Sequence, residues 1–453
     1  MKDYSKRQLV IGAGPVGLGY AKALKSAGIA YDQVEADDDV GGNWYHGVYE
    51  TAHIISSKKV TEFPDFLMPD TYPDFPSAQQ MLAYFRAYTD HFGLRAHLEF
   101  QKKVIDVRPV ASSLWQVTFA DGEMRRYQGV LIVNGHHWDK KMPQFSGHFD
   151  GEFIHSKDYK KAEQVRDKRV LVIGAGNSAC DIASEAARIG KGVCISMRTP
   201  AWFFPKTFLG IPLSDLADHN KLPKWEWLQR FIMRLIYRLS VGKNEQYNIP
   251  KPGYKMLKKH PTISTEILHY IKHGRITPKP NVKQLAGKKV IFADGTAQEF
   301  DMIVAATGYH LSYPFLPTEL NRVEGSVVKV YGGNFLADYK GLYFIGWLQP
   351  RGGIGSLVTP AAEVLAKFIQ LQQQINVPVG LVLKEMGQAL PTSPIADPHQ
   401  ILKRLRQVNR YFSLITKKAK QIDAKNVGFQ NPIVSPKSPL EKLIIEQREM
   451  VVY

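Results

Sequence analysis

Leu9-Val10-Ile11-Gly12-Ala13-Gly14-Pro15-Val16-Gly17 runs from an apolar strand through a tight glycine turn into a helix start. The pattern returns as Val170-Leu171-Val172-Ile173-Gly174-Ala175-Gly176-Asn177-Ser178-Ala179. In both stretches the glycines let backbone approach a pyrophosphate, and the helix start offers N–H donors at the positive end of its dipole. The residues at the ribose end of each loop differ. Glu35 ends the second strand of the first unit, Tyr31-Asp32-Gln33-Val34, and a carboxylate there suits a ribose diol. Arg198 comes after Ser196 and Met197 at the end of the matching strand in the second unit, where a guanidinium suits a 2′-phosphate. A single glycine loop is weak support for a nucleotide site. Two, each with a fitting residue at the ribose end, imply FAD-like and NADP-like nucleotides in one chain and point to a redox enzyme.

The 453 residues suffice for two or three domains, and 44% hydrophobic with 22% charged residues is ordinary for a globular protein. The N-terminal Met1-Lys2-Asp3-Tyr4-Ser5-Lys6-Arg7 shows no secretory pattern, and no apolar run approaches the roughly 20 residues that span a bilayer. Cys180 and Cys194 form no CxxC pair, which excludes a dithiol redox centre; no His/Cys cluster has metal-ligand spacing. The expectation is a reduced, cytoplasmic enzyme with no bound metal and no nucleic-acid partner. The net charge of +17 is concentrated: residues 201–260 and 401–453 each hold 11 Lys/Arg against 4 Asp/Glu. Those segments suit peripheral contact with an anionic membrane, or a solvated surface, and a homodimer stays open.

A second repeat supports two related halves. Phe119-Ala120-Asp121-Gly122 returns as Phe292-Ala293-Asp294-Gly295, each an Asp-Gly hairpin turn ahead of an apolar strand ending in glycine, at Gly135 and at Gly308. The expected fold is α/β, with two Rossmann-like dinucleotide-binding domains, the NADP domain inserted in the FAD domain. Residues 1–145 and 313–390 form the FAD domain, and residues 146–312 form the NADP domain with a helical insertion at about 200–260. Residues 391–453 form a basic tail that either wraps the body or frays. Leu342–Gly346 reads as a late strand, and Gly355-Ser356 opens a helix aimed at the flavin. Within the insertion, Trp225–Leu239 reads as an amphipathic helix. Arg230, Arg234 and Arg238 line one face, opposite Phe231, Ile232, Leu235, Ile236 and Leu239.

Between the two units, Phe149-Asp150-Gly151-Glu152-Phe153-Ile154-His155-Ser156-Lys157-Asp158-Tyr159 matches FxGxxxHxxxY. This resembles the fingerprint of the flavin-containing monooxygenases; the related Baeyer–Villiger enzymes carry Trp where this chain has Tyr159. Other segments resemble the family in its order: Gly41-Gly42-Asn43-Trp44, Phe63-Pro64-Asp65-Phe66, Asn134-Gly135-His136-His137, Lys279-Pro280-Asn281-Val282, Thr307-Gly308-Tyr309 and Leu348-Gln349-Pro350. The resemblance covers residues 8–370. It implies FAD held by Gly12, Gly14, Pro15, Gly17, Glu35, Gly42, Asn43, Trp44 and Gln349. It implies NADP held by Gly174, Gly176, Asn177, Ser178, Ala179, Ser196 and Arg198. The implied reaction consumes NADPH and O2 and inserts one oxygen atom into a soft nucleophile, an amine nitrogen or a sulfide sulfur, through a C4a-hydroperoxyflavin. The cofactor carries such chemistry, so the absence of a Ser–His–Asp set does not count against an enzyme.

There is one departure. Where the family places an Asn by the flavin and the nicotinamide ribose, this chain has Ile55, whose side chain forms no hydrogen bond. Ser56 and His53 are the neighbouring candidates for that role. The departure keeps open an NADPH oxidase or flavin reductase that releases hydrogen peroxide. A Baeyer–Villiger-type monooxygenase is also open, as is a membrane-peripheral or partner-binding flavoprotein.

Overall fold

Strand Asp3–Ile11 lies inside a seven-stranded sheet, flanked in parallel by Tyr31–Val34 on one side and Met124–Ile132 on the other. Leu98–Glu99 extends the sheet beyond Tyr31–Val34, and Leu342–Phe344 joins in parallel against Met124–Ile132. Leu114–Phe119 and Val104–Val110 add an antiparallel meander. The Asp-Gly turns fall where expected: Gly122 (φ +85°) links Leu114–Phe119 to Met124–Ile132, and Gly295 (φ +83°) links Lys289–Phe292 to Ala297–Glu299. The computed structural model describes residues 3–110, 113–216, 225–426 and 428–434.

The second sheet has five strands, all parallel, in the order Ile276–Lys279, Gly192–Ser196, Arg169–Ile173, Met302–Ala305, Glu152–His155. Its central strand contributes Val170, Leu171 and Val172 with no exposed surface, as a strand covered on both faces requires. The fold is therefore α/β with two nucleotide-binding sheets, and the chain leaves the first sheet after Met124–Ile132 and returns to it at Leu342–Phe344. The two crossings meet in a short antiparallel ribbon, Asp139–Lys140 against Tyr309–His310.

The insertion is docked. Phe203–Phe204 pairs in parallel with Thr262–Ile263, and Asn244 ties Ala201 to the Asn244–Tyr247 turn through a 3.1 Å bond to the Ala201 carbonyl. Helix Glu226–Ser240 forms as expected, but its faces differ from the sequence reading. Gln229, Met233, Ile236 and Tyr237 are buried against the second core, whereas Phe231, Leu235 and Leu239 face solvent. The helix carries apolar residues on two stripes, and tertiary packing uses the stripe that holds Met233 and Tyr237. Periodicity alone does not rank one stripe above the other.

Residues after 390 wrap the body as far as they are described. Asp397 caps helix Pro398–Arg410 by accepting from His399 N (2.9 Å) and forms an ion pair with Arg351. Phe412 stacks edge-on to Phe368 of helix Gly355–Gln372 at 5.3 Å, and Asp423 accepts from the N–H groups of Asn376 and Val377. The rest of the basic tail, residues 435–453, lies outside the described residues.

Candidate active site

The two phosphate loops are built alike. Gly12 N donates to Val34 O (2.8 Å), and Gly174 N donates to Ser196 O (3.0 Å), which draws each turn under its neighbouring strand. Helices Pro15–Ser26 and Asn177–Ile189 begin at Gly14 and Gly176 with no side-chain cap, although helix Ala78–His91 in the same chain has a full capping box from Ser77 and Gln80. The first turns of both loop helices thus lack the side-chain cap that such N–H groups usually receive.

The glycines answer to real contacts. A Cβ at Gly17 would lie 2.2 Å from Gly12 O, and one at Gly174 would lie 2.3 Å from Ala306 O. At Gly14 a Cβ would meet only the Gly42 Cα at 3.7 Å, and at Gly176 it would meet nothing within 4 Å. The first pair of glycines permits the turn itself. The second pair leaves a bare backbone cradle, the shape a pyrophosphate needs. Gly41 N donates to Ala13 O (3.0 Å), bringing the 3-10 turn Gly42–Trp44 over the first loop. Asn43 holds that turn through its carbonyl, which accepts from Gly47 N. Trp44 packs against the cores of both units.

The ribose-end residues take up different states. Glu35 is half-buried, and its carboxylate accepts from Ala13 N (2.6 Å) and Ala36 N (2.8 Å). Burial pushes its pKa up while those bonds pull it down. Gln33, fully buried, donates to Gly12 O (2.9 Å). Arg198 is exposed, and among the described residues no carboxylate holds it. The hydroxyl of Ser196 donates to Pro280 O (2.7 Å) within the core, so it fixes the strand end beneath Arg198. Asn177 accepts from Ile263 N (2.7 Å), and Ala175 O accepts from Thr262 Oγ1 (2.9 Å), so the insertion closes over one side of the second loop. Ser178 lies beside the Tyr49 hydroxyl, which donates to Asp181 (2.6 Å), and Ala179 is buried under Gly174.

The fingerprint residues lie on strand Glu152–His155 of the second sheet and in the segment just after it. His155 Nδ1 accepts from Lys157 N (3.1 Å), which leaves the proton on Nε2 to donate to Gly308 O (3.0 Å). Fully buried, the ring has a lowered pKa and stays neutral. Tyr159, also fully buried, donates to Glu185 on helix Asn177–Ile189. His136 bonds Gly346 O (3.0 Å). His137 packs its ring near Tyr309 (5.4 Å) and, although its surface is exposed, the surrounding protein pushes its pKa down to about 3. Lys157, bonded to Trp138 O, also has its pKa lowered by burial.

Ile55 sits on a bend just ahead of the short helix Lys58–Thr61, which meets helix Gly355–Gln372. A Cβ at Gly353 would lie 1.9 Å from Val60 O, and one at Gly355 would lie 1.9 Å from Glu62 O, so backbone meets backbone here. The Ser56 hydroxyl pairs with Thr61 Oγ1 (2.8 Å), and the His53 ring meets Thr51 O and the Lys206 amine. Neither side chain is unengaged. Gln349 forms a short strand with Pro350 against Ile395–Ala396, and its N–H donates to Pro394 O (2.8 Å). Sequence reading missed Gln33, Lys206, Ser57 and Asp215. Only Gln33 left a signal, as a polar residue set next to Val34 at the buried end of a short strand.

Comparison with known proteins agrees with this arrangement. The family model described as flavin-binding monooxygenase-like matches residues 5–388. Flavin-containing monooxygenase 5 of Oryctolagus cuniculus is 33% identical over 397 residues, 81% of this chain and 73% of that protein. Dimethylaniline monooxygenase [N-oxide-forming] 2 of Mus musculus is 32% identical over 393 residues, 80% of this chain and 72% of that protein. Among solved structures, a flavin-containing monooxygenase from Stenotrophomonas maltophilia superposes with a TM-score of 0.62 at 20% identity, covering 82% of this chain and 99% of its own. A cyclohexanone monooxygenase mutant from Rhodococcus sp. Phi1, bound to NADP+, reaches a TM-score of 0.65 at 18% identity, covering 82% and 86%. With two bare phosphate cradles, a ribose-end acid on one and an exposed arginine on the other, the chain belongs to the flavin-binding monooxygenase-like family and is an FAD- and NADP-dependent monooxygenase.

Proposed function

We propose that the enzyme transfers one oxygen atom of O2 to an amine nitrogen or a sulfide sulfur, the other leaving as water as NADPH is oxidised. The observation that carries this is the weak basicity of the histidine pair just past strand Met124–Ile132. Burial lowers the pKa of both His136 and His137, the latter to about 3, which makes them poor proton acceptors. A soft nucleophile brings its own free lone pair and needs no general base, whereas most other acceptors need one. In this reading the first loop, with Gly12, Gly14, Gly17, Glu35 and the Gly42–Trp44 turn, holds FAD. The second, with Gly174, Gly176, Asn177 and Arg198, holds NADP. The domains divide as 1–145 with 313–390, and 146–312. FAD supplies the redox chemistry at the cleft, and NADPH supplies the hydride. The protein contributes orientation, exclusion of water by Trp44 and Ile55, and neutral walls. Product analysis tests it: N-oxide or S-oxide formed in proportion to NADPH consumed supports the reading, and NADPH consumed wholly to hydrogen peroxide overturns it. The oxidase reading is the second one, and a single observation favours it, the apolar Ile55 beside two committed polar neighbours.

The partner of the insertion is proposed to be an anionic lipid surface. Trp227 (63% exposed), Phe231 (59%), Leu235 (50%) and Leu239 (69%) form one stripe at i+4 spacing, with Trp225 at its head. Arg234, Arg238, Lys243 and Lys251 are exposed around it. An apolar stripe with aromatic residues, bordered by cations, fits a helix lying in a membrane interface. No helix among the described residues is long and apolar enough to cross a membrane. Cys180 and Cys194, both buried and unpaired, support a cytoplasmic setting. Sedimentation with phosphatidylserine vesicles should pellet the enzyme at low salt and less at high salt, with Phe231→Glu abolishing it. Concentration-dependent self-association without vesicle binding would assign the stripe to a second copy of the chain.

A further inference from the structure

The turn carrying Ile55 is anchored from two sides. On the first-domain side, Ile54 N donates to Pro76 O (3.0 Å) and Lys58 N donates to Asp74 O (2.8 Å). On the other side the anchor is the insertion. Ser57 N donates to Ser214 Oγ (2.8 Å), the Ser57 hydroxyl donates to Asp215 Oδ1, and Lys206 meets His53. Ser57 is wholly buried and Asp215 is 7% exposed. Among the described residues no cation pairs with Asp215. Burying a carboxylate against hydroxyls alone is costly, and a neutral side chain would fill the same space more cheaply. Among the described residues the directed bond to the buried Ser57 hydroxyl is thus the main tie that the Asp215 carboxylate makes outside its own helix.

The same insertion is bonded to the second phosphate loop. Thr262 reaches Ala175 O, and Ile263 N reaches Asn177. Thr262–Ile263 pairs with Phe203–Phe204, and Lys206 O accepts from Leu213 N (2.8 Å) just ahead of Ser214 and Asp215. One hydrogen-bonded path thus runs from Ala175 and Asn177 to Ser57, two residues past Ile55.

We propose that the insertion is a strap coupling nucleotide occupancy at the second loop to the turn that carries Ile55, and that Asp215 is its positioning residue, latched on Ser57. The proposal rests on the assignment of NADP to the second loop. NADP bound at Gly174–Ala179 orders Ala175 and Asn177. The strap passes that order to residues 53–57, which then hold Ile55 and Ser56 in place only while the nucleotide is bound. Coupling of this kind needs an element biased by both sites, and the strap touches both.

Hydrogen–deuterium exchange of the FAD-loaded enzyme, with and without NADP+, tests this without turnover. In the wild type NADP+ should slow exchange in residues 53–61 and in residues 174–179. Asp215→Ala and Ser57→Ala should each keep the effect at 174–179 and lose it at 53–61, by about fivefold or more, the low end for coupled sites. The double variant should be no worse than either single one, because both remove one contact. Asp215→Asn keeps an acceptor for the Ser57 hydroxyl and should restore most of the effect, so a folding defect in Asp215→Ala does not decide the matter. Peroxide released per NADPH should rise in the two alanine variants with little change in the NADPH Michaelis constant. Slowed exchange at 174–179 but never at 53–61 in the wild type would overturn the strap alone. Slowed exchange at neither would overturn the assignment of the second loop, and the strap with it.

Discussion

The two phosphate loops share one backbone device and differ in everything that surrounds it. The first is sealed by its own domain: Gln33 bonds its carbonyl, Glu35 bonds its N–H, and the Gly42–Trp44 turn lies over it. The second is covered on one side by residues of the insertion, and its arginine stands exposed at the strand end. A loop fixed in advance by its own domain, as the first is, suits a nucleotide that stays through turnover, because binding there costs little ordering. A nucleotide that is consumed and exchanged suits the second. The glycine pattern names the ligand class, and the surroundings set how firmly the ligand is held.

The sharpest way to break this comparison is to add one methyl to each loop. Gly17→Ala drives a Cβ into Gly12 O, and Gly174→Ala drives one into Ala306 O. Each should destabilise its own unit by about 3 kcal/mol or more, the upper range for overpacking. Gly17→Ala should yield colourless protein with a lowered melting temperature. Gly174→Ala should stay yellow but no longer be reduced by NADPH. The same flavin loss in both would mean that the loops are not separate sites. Gly14→Ala meets no protein clash, so it should fold normally and still lose FAD, which sharpens the contrast between the turn and the cradle.

A smaller effect is expected at the strand end. A guanidinium–phosphate contact is worth roughly 1.5–3 kcal/mol, or about one to two decades in affinity. Arg198→Ala should raise the Michaelis constant for NADPH by that factor and leave NADH unchanged. Equal losses for both nucleotides would remove Arg198 from the 2′-phosphate. Smaller again is Ile55→Asn. Restoring one hydrogen bond near the reacting edge is worth about 1 kcal/mol, which is roughly a fivefold change in rate. Hydrogen peroxide released per NADPH should fall by that amount. A wild type that already releases almost none would show that backbone groups serve in place of the missing amide.

The smallest effect concerns pH. Burial lowers the His155 pKa below its unfolded value of about 6.5, so the unfolded chain binds the extra proton first. Stability from the neutral ring is therefore complete above about pH 6.5 and declines as pH falls below it. The melting temperature should drop between about pH 6.5 and 5, and His155→Gln should flatten that drop.

Much of this molecule was legible from local residue order. Glycines that must approach backbone, apolar runs long enough for buried strands, and an acid or an arginine at a strand end are short-range requirements. They identified both sheets, both loops and the return strand Leu342–Phe344. The insertion was harder to read. Helix Glu226–Ser240 carries two apolar stripes, and only its packing against Phe203, Phe204 and Ile249 decides that Met233 and Tyr237 turn inward while Phe231 and Leu235 turn out. Ser56 and His53 were reasonable stand-ins for the missing amide by position, but the structure commits them to Thr61 and Lys206. Ser57 and Asp215 left no trace in the sequence, because they are 158 residues apart and their meaning lies in a contact that exists only after the insertion docks. Periodicity and glycine spacing are properties of neighbouring residues and survive in one dimension. Which face is buried, and which carboxylate meets which hydroxyl, depends on elements brought together by the burial of both cores, and that only the tertiary structure decides.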